Sequence, residues 1–243
     1  MKLDIASLKA AITAKGYKWF DDLNLIGVRT TLQVPDAFND FMCIIWKQSA
    51  MPAGLSPLDQ QDWLNKNLFV GADGTALTLD GDFGTKSQYA LAQYNAVVGK
   101  ERIKIYTITT DPGAYWLEHP MNTLGAAVLK PGQWTNGWSL GFHQNKPDHE
   151  ALVQTGKITV YRDGDKDNVS EASATEDSGL FGVNIHGSNK VGTSLKIGKW
   201  SAGCQVFNQW DKKEEFISIC KTFKAAHGNK FTYTLIEEKD LAA

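Results

Sequence analysis

Residues 184 to 207 read NIHGSNKVGTSLKIGKWSAGCQVF. The stretch sets one histidine, His186, and one cysteine, Cys204, each beside a glycine and between apolar flanks. Strand formers run up to His186 and predict a strand whose end fixes the direction of the imidazole. Gly203 lets the backbone at Cys204 approach a substrate closely and turn N–H groups toward a reacting carbonyl. A thiol nucleophile, an imidazole to carry its proton and N–H donors for an oxyanion are what cysteine acyl transfer requires. The separation, 204 − 186 = 18 residues, is a loop that can bring strand end and thiol together. A lone cysteine is also a common small core residue, so spacing leaves both readings open.

Outward from this stretch the chain is rich in short strands. LFGVNIHG leads into it, preceded by AAVLKPGQW, WSLGFHQ, ALVQTG and KITVYRDG, each bounded by Gly, Pro or Asp. After it, DKKEEFISICKTFKAAHG predicts a helix with Phe216, Ile217, Cys220 and Phe223 on its apolar face and Gly228 as its stop. KFTYTLIEE alternates as a last strand. At the other end, residues 4 to 15 predict a short amphipathic helix closed by Gly16, and NLIGVRT and DFMCIIWK predict strands. Between DFMCIIWK and the strand RIKIYTITT the texture changes. QSAMPAGLSP is a loop, PLDQQDWLNKNLF carries Leu58, Trp63, Leu64 and Leu68 near helical spacing, and Thr85 to Val97 forms a second helix. The expected fold class is therefore α+β: residues 1–49 and 100–243 form a mainly β domain, and 50–99 a helical unit nested in it.

Composition bounds the function. With 243 residues, 42% apolar and 21% charged, the chain has enough material to bury a core. A net charge of −2 without a basic run gives no footprint for nucleic acid. No apolar run is long enough for a membrane span, and MKLDIASLKAAITAKGYKWF lacks the apolar core and cleavage site of a secretory leader. The three cysteines, Cys43, Cys204 and Cys220, have neither the even count of a disulfide framework nor zinc-ligand spacing. Cys43 and Cys220 lie on apolar faces and read as core. No cofactor and no metal is expected.

Residues 183 to 206, VNIHGSNKVGTSLKIGKWSAGCQV, resemble the signature of the L,D-transpeptidase catalytic domain: a strand ending in His-Gly-Ser, a loop, then Ser-x-Gly-Cys. The resemblance implies a mainly β catalytic domain acting on peptidoglycan stem peptides. It implies Cys204 as nucleophile, His186 as base, the Gly187 main chain orienting the imidazole, and Ser201 supporting the loop or substrate. It also implies oxyanion donors at Gly203 and Cys204. Asn184, Ser188, Trp200 and His143 are the candidate substrate contacts. The family often carries Arg two residues after the cysteine; here Val206 stands there, so substrate recognition differs. TTDPGAYWLEHPMNTLGAAVLKPGQW with FGVNIHG and WSAGCQVF is also similar to phage-encoded proteins.

LDGDFGTKSQYALAQYN resembles the core of a small three-helix peptidoglycan-binding domain, on Asp80, Gly81, Phe83, Gly84 and Tyr94. Physically, Asp80-Gly81 makes a tight turn, Phe83 is buried and Thr85 caps the following helix. A helix pair that only packs on its neighbour reads the same way. The expected partner is bacterial peptidoglycan. Without an export signal, the expected setting is a phage lysis or virion-associated hydrolase, made in the host cytoplasm and reaching the wall through a holin or with the particle. A cross-linking transpeptidase and a non-catalytic wall-binding protein are the rival readings. Two weaker signals remain. Asp163, Asp165 and Asp167 alternate as calcium loops begin, but Ala174 stands where the bidentate Glu belongs, so a solvated turn is expected. Trp134, Trp138 and Trp200 suit either sugar stacking or packing.

Overall fold

The Asp4 carboxylate accepts the Ser7 N–H at 2.8 Å and starts a helix that Gly16, at φ +71°, turns away from. In this computed structural model, residues 1–32, 34–172 and 175–241 are described. The chain runs α1 (Ile5–Ala14), β1 (Leu23–Arg29), β2 (Asp40–Lys47), α2 (Pro57–Lys66), α3 (Thr85–Val97), β3 (Glu101–Thr109), α4 (Ala114–Glu118), β4 (Ala126–Leu129) and β5 (Gly132–Phe142). It continues through β6 (Glu150–Gln154), β7 (Ile158–Asp163), β8 (Glu176–Gly179), β9 (Ile185–Gly187), β10 (Gln205–Phe207), α5 (Trp210–His227) and β11 (Phe231–Glu237). The fold is mixed α/β and is dominated by eight strands closed into a barrel, in the order β1-β11-β5-β6-β9-β10-β3-β2. β4, β7 and β8 form a separate three-stranded sheet.

β1 is buried along its whole length because both of its faces are covered. Leu23 and Leu25 join the main core with Met42, Ile44, Tyr233 and Leu235, while Ile26 and Val28 join a second cluster with Cys43, Ile45 and the apolar face of α1. Gly27 lies opposite Leu235, and a Cβ there would sit 1.8 Å from the Tyr233 hydroxyl. That hydroxyl donates to Gln205 Oε1 at 2.9 Å, next in the chain to Cys204. Gly27→Ala must therefore displace a fully buried ring and break its bond. We expect a loss of about 2 kcal/mol in chemical denaturation; an unchanged midpoint would refute this account of the position.

Residues 48 to 100 leave the barrel and return at one point. β2 and β3 pair antiparallel from Asp40↔Ile108 to Lys47↔Glu101, and Gln48 N–H and Gly99 N–H extend the ladder with bonds to Lys100 O and Gln48 O. The helical unit is thus an excursion from the tip of a β-hairpin. It has its own core of Leu64, Phe69, Leu77, Ala90 and Tyr94. Arg102 on β3 ties it down, donating to Gln48 Oε1 at 2.8 Å and Asn67 O at 2.9 Å and lying over the Trp46 and Phe69 rings. A cavity of about 330 Å³ remains at the seam, between Trp46, Val98, Ile219 and Phe223.

Several local expectations need correction. Gly84, not Thr85, is the N-cap of α3, and Thr85 is its first helical residue. Phe83 is only partly buried, and Leu58 is exposed instead of joining the apolar face. AAVLKPGQW is not one strand: Lys130 and Pro131 separate β4 from β5, which belong to different sheets. Only Ile185–Gly187 of LFGVNIHG is strand. Before it, the Gln154 side chain replaces a ladder partner, accepting the Phe181 and Val183 N–H groups at 3.0 Å each and donating to Gly179 O. Neither α4 nor β8 was legible, since DPGAYWLEHP is punctuated by prolines and EDSG lacks strand formers. Among the described residues no helix is long and apolar enough to cross a membrane.

Candidate active site

β9 and β10 are short, parallel neighbours with Gln205↔Ile185, Val206↔His186 and Phe207↔Gly187 in register. Alternation sends Ile185 and Gln205 into the barrel, where Gln205 meets Tyr233, and puts His186 and Val206 on the opposite face. Asn184 accepts the Gln205 N–H at 2.9 Å, and the same alternation places Cys204 on the His186 face. The histidine and cysteine are therefore brought to one face of adjacent strands by sheet register. No hydrogen bond joins Cys204 Sγ to His186; the thiol donates to Gly182 O at 3.5 Å and accepts from Asn184 N–H at 3.4 Å.

His186 is buried. Its Nδ1 lies 2.9 Å from the carbonyl of Gly187. A carbonyl only accepts, so Nδ1 carries the proton and Nε2 the lone pair. Nε2 is buried without a hydrogen-bond partner. The Gly187 backbone that holds the ring is itself pressed by α5: a Cβ there would lie 3.1 Å from Trp210 and 3.3 Å from Lys213. His143 stacks on His186 with ring centroids 3.8 Å apart, and His149 sits 5.3 Å from His186 and 4.8 Å from Trp210.

The turn before β10 is held by Ser201. Its hydroxyl donates to Cys204 O at 2.8 Å and accepts the Gly203 N–H at 3.1 Å. The Gly203 N–H is thereby engaged, which removes it as an oxyanion donor. The Cys204 N–H makes no hydrogen bond among the described residues and is the donor that remains. Gly203 has φ +123°, and a Cβ on it would lie 2.4 Å from Ala127 O. The close packing of this turn on β4 is possible only for glycine.

The four expected substrate contacts divide. Trp200 is exposed on the loop before Cys204. Ser188 is buried, its N–H bonded to Phe207 O. Asn184 Oδ1 accepts the Gln154 N–H at 2.9 Å and Asn184 Nδ2 faces His143 Nδ1 at 3.1 Å, so both of these side chains contact each other. A cleft of about 190 Å³ touches the turn before Cys204 at Ala202 and is lined also by Trp116, Asn122, Ala127, Arg162 and Phe181, but by neither Cys204 nor His186. Arg162 there is paired with Asp177 at 2.8 Å and lies 4.7 Å over the Phe181 ring. Trp138 is a core residue that donates to Val183 O, and Trp134 is packed against the same core.

In the helical unit, Asp80, Gly81, Phe83, Gly84 and Tyr94 build the turn and core. Gln61 donates to Asp80 Oδ1 and accepts the Gly81 N–H, each at 2.9 Å, and the buried Tyr94 hydroxyl accepts the Met51 N–H at 2.8 Å. In the acidic loop, Asp163, Asp165 and Asp167 each accept a backbone N–H from further along the turn. Ala174 lies outside the described residues. Among the described residues no group of three or more His, Cys, Asp or Glu side chains is arranged to hold a metal. Of the three imidazoles, His143 and His186 stack face to face, while His149 stands edge-on to His186 at 78° and tilted to His143 at 56°.

Burial sets the electrostatics. It holds His186 well below the usual histidine range, helped by His143, His149 and Lys213 and opposed by the Gly187 carbonyl. It pushes the Cys204 thiol up to about 11, eased by the Asn184 N–H, while Cys43 goes to about 12 and Cys220 well above its ordinary value. At neutral pH Cys204 therefore rests as a thiol and His186 as a neutral imidazole. Iodoacetamide should therefore modify Cys204 first, because it is 9% exposed and the others 0%, and its rate should rise with pH up to about 11. Equal rates at all three thiols in the folded protein would contradict this.

The sequence reading missed His149, Trp210, Lys213 and Gln154. His149 lies in HQNKPDH beside the histidine that was singled out, but nothing local signals that this turn folds over β9. The chain matches no protein-family model, no curated protein and no solved structure.

Proposed function

We propose that this chain is a cysteine enzyme of L,D-transpeptidase type acting on stem-peptide bonds of bacterial peptidoglycan, as a phage endolysin or virion-associated peptidase. The observation that supports the reading is the β9–β10 register, which puts Cys204 on the same face as a His186 whose Nδ1–H is fixed on Gly187 O and whose Nε2 has no hydrogen-bond partner. Cys204 Sγ leaves the Gly182 carbonyl and attacks the peptide carbonyl carbon as its proton passes to His186 Nε2. The oxyanion takes the Cys204 N–H. Collapse breaks the C–N bond, and His186 returns the proton to the departing amine. Water then attacks the thioester, His186 takes its proton, and acid and thiol are released; an amine in place of water gives a cross-link.

Because thiol and imidazole are both neutral, this is general-base attack and not attack by a preformed ion pair. Val206, buried in register with His186, offers no charge to a substrate carboxylate. The missing hydrogen bond between Cys204 and His186 favours a second reading, a peptidoglycan-binding protein without catalysis. Incubation with purified sacculi and mass spectrometry of the soluble fraction separates the two. Released stem peptides or opened cross-links establish the peptidase, new cross-links the transpeptidase, and retention on unchanged sacculi the binding protein.

A further inference from the structure

We infer that Asn184 and His143 form a clamp joining the nucleophile to the base, and are positioning residues instead of substrate contacts; this rests on the cysteine-enzyme reading of the site. Every polar atom of Asn184 is engaged. Its N–H donates to Cys204 Sγ at 3.4 Å, its carbonyl accepts the Gln205 N–H at 2.9 Å, Oδ1 accepts the Gln154 N–H at 2.9 Å, and Nδ2 meets His143 Nδ1 at 3.1 Å. One residue thus touches the thiol, the strand that bears it, and the ring stacked on the base.

The hydrogen bonds also determine protonation. Oδ1 faces a backbone N–H, so the atom facing His143 is the amide nitrogen, a donor. His143 Nδ1 must then accept, and the neutral ring carries its proton on Nε2. His186 is the opposite tautomer, with its proton on Nδ1. The two rings lie 3.8 Å apart at 23°. A proton added to His143 Nδ1 would confront the Asn184 amide hydrogens and place a cation against His186. Burial, with His149 and Lys146 nearby, holds His143 down to about 4, so the clamp stays neutral well into acid. The other charged groups around the cluster are Lys213 on α5 and Asp148 beside His149, itself paired with Lys190. The clamp keeps the plane of the His186 ring, and hence the direction of Nε2, fixed relative to Cys204.

The test combines long-range 1H–15N correlation of the imidazoles in the wild-type protein with kinetics of H143F and H143Q. H143F keeps a planar ring over His186 and loses the acceptor; H143Q keeps an acceptor and loses the ring. We expect His143 as the Nε2–H tautomer and His186 as the Nδ1–H tautomer from pH 7 down to about 5. His143 with its proton on Nδ1, or titrating in the ordinary histidine range, overturns the clamp whatever the protein does to sacculi. On soluble stem peptides both variants should lose kcat by about tenfold or more with KM unchanged. A raised KM at unchanged kcat makes His143 a substrate contact and overturns the inference. A wild type inactive on peptides and sacculi, with the expected tautomers, refutes the enzymatic reading while the clamp stands as a structural feature.

Discussion

Cys204→Ala should end the release of stem peptides from sacculi, lowering the rate by at least about a thousandfold. In the proposed mechanism the Cys204 sulfur forms the acyl intermediate, and without it the oxyanion donor has nothing to stabilise. The fold should hardly notice. Among the described residues Cys204 Sγ makes two long, weak hydrogen bonds, to Gly182 O and from the Asn184 N–H. The change removes one small atom from a site at the edge of the core, so a stability loss of about 1 kcal/mol or less is expected. A variant that melts with the wild type and is inert on sacculi isolates the chemistry. Wild-type cleavage by C204A would sink the proposed mechanism outright.

Gly203→Ala carries the largest structural effect. The position combines φ +123°, which L-residues rarely adopt, with a Cβ 2.4 Å from the backbone oxygen of Ala127. Neither can relax alone, because the turn is held by Ser201 on both sides and by the Gly113 N–H bonded to Ser201 O at 2.9 Å. Strained backbone and overpacking each cost about 1–3 kcal/mol, so a total of about 3 kcal/mol is expected. For a chain of this length that is a fall in Tm of about 10 °C. Activity should fall as well, since the turn that moves carries both Cys204 Sγ and its N–H. An unchanged Tm together with unchanged Cys204 alkylation would show that the turn is not constrained as described.

Where local pattern and tertiary demand agree, the sequence was readable. Residues 4 to 15 formed a helix because a capping aspartate, apolar spacing and a terminal glycine all point one way. DFMCIIWK is a buried strand because both of its faces are covered, by the barrel core and by the cluster around α1. Placing Cys204 and His186 in one stretch likewise needed only chemistry and spacing. The small elements escaped. EDSG pairs as β8 only because β7 offers it a ladder, and the 179–183 segment is irregular only because a distant glutamine supplies its bonds.

By itself the sequence determined that the chain buries a β-rich core, that a helical unit lies between two of its strands, and which thiol and imidazole are candidates for chemistry. Those follow from periodicity, turn residues and composition, which act within a few residues. Only the tertiary structure decided that the helical unit springs from a hairpin tip, since that depends on Lys47 pairing with Glu101. Only it decided that Gly203 N–H is engaged by Ser201, that Ser188 is buried, and that Asn184 and His143 grip each other. The reason is physical. A polar side chain takes its role from whichever partner the fold delivers to it, and His143 and His186 lie 43 residues apart along the chain yet stack at 3.8 Å.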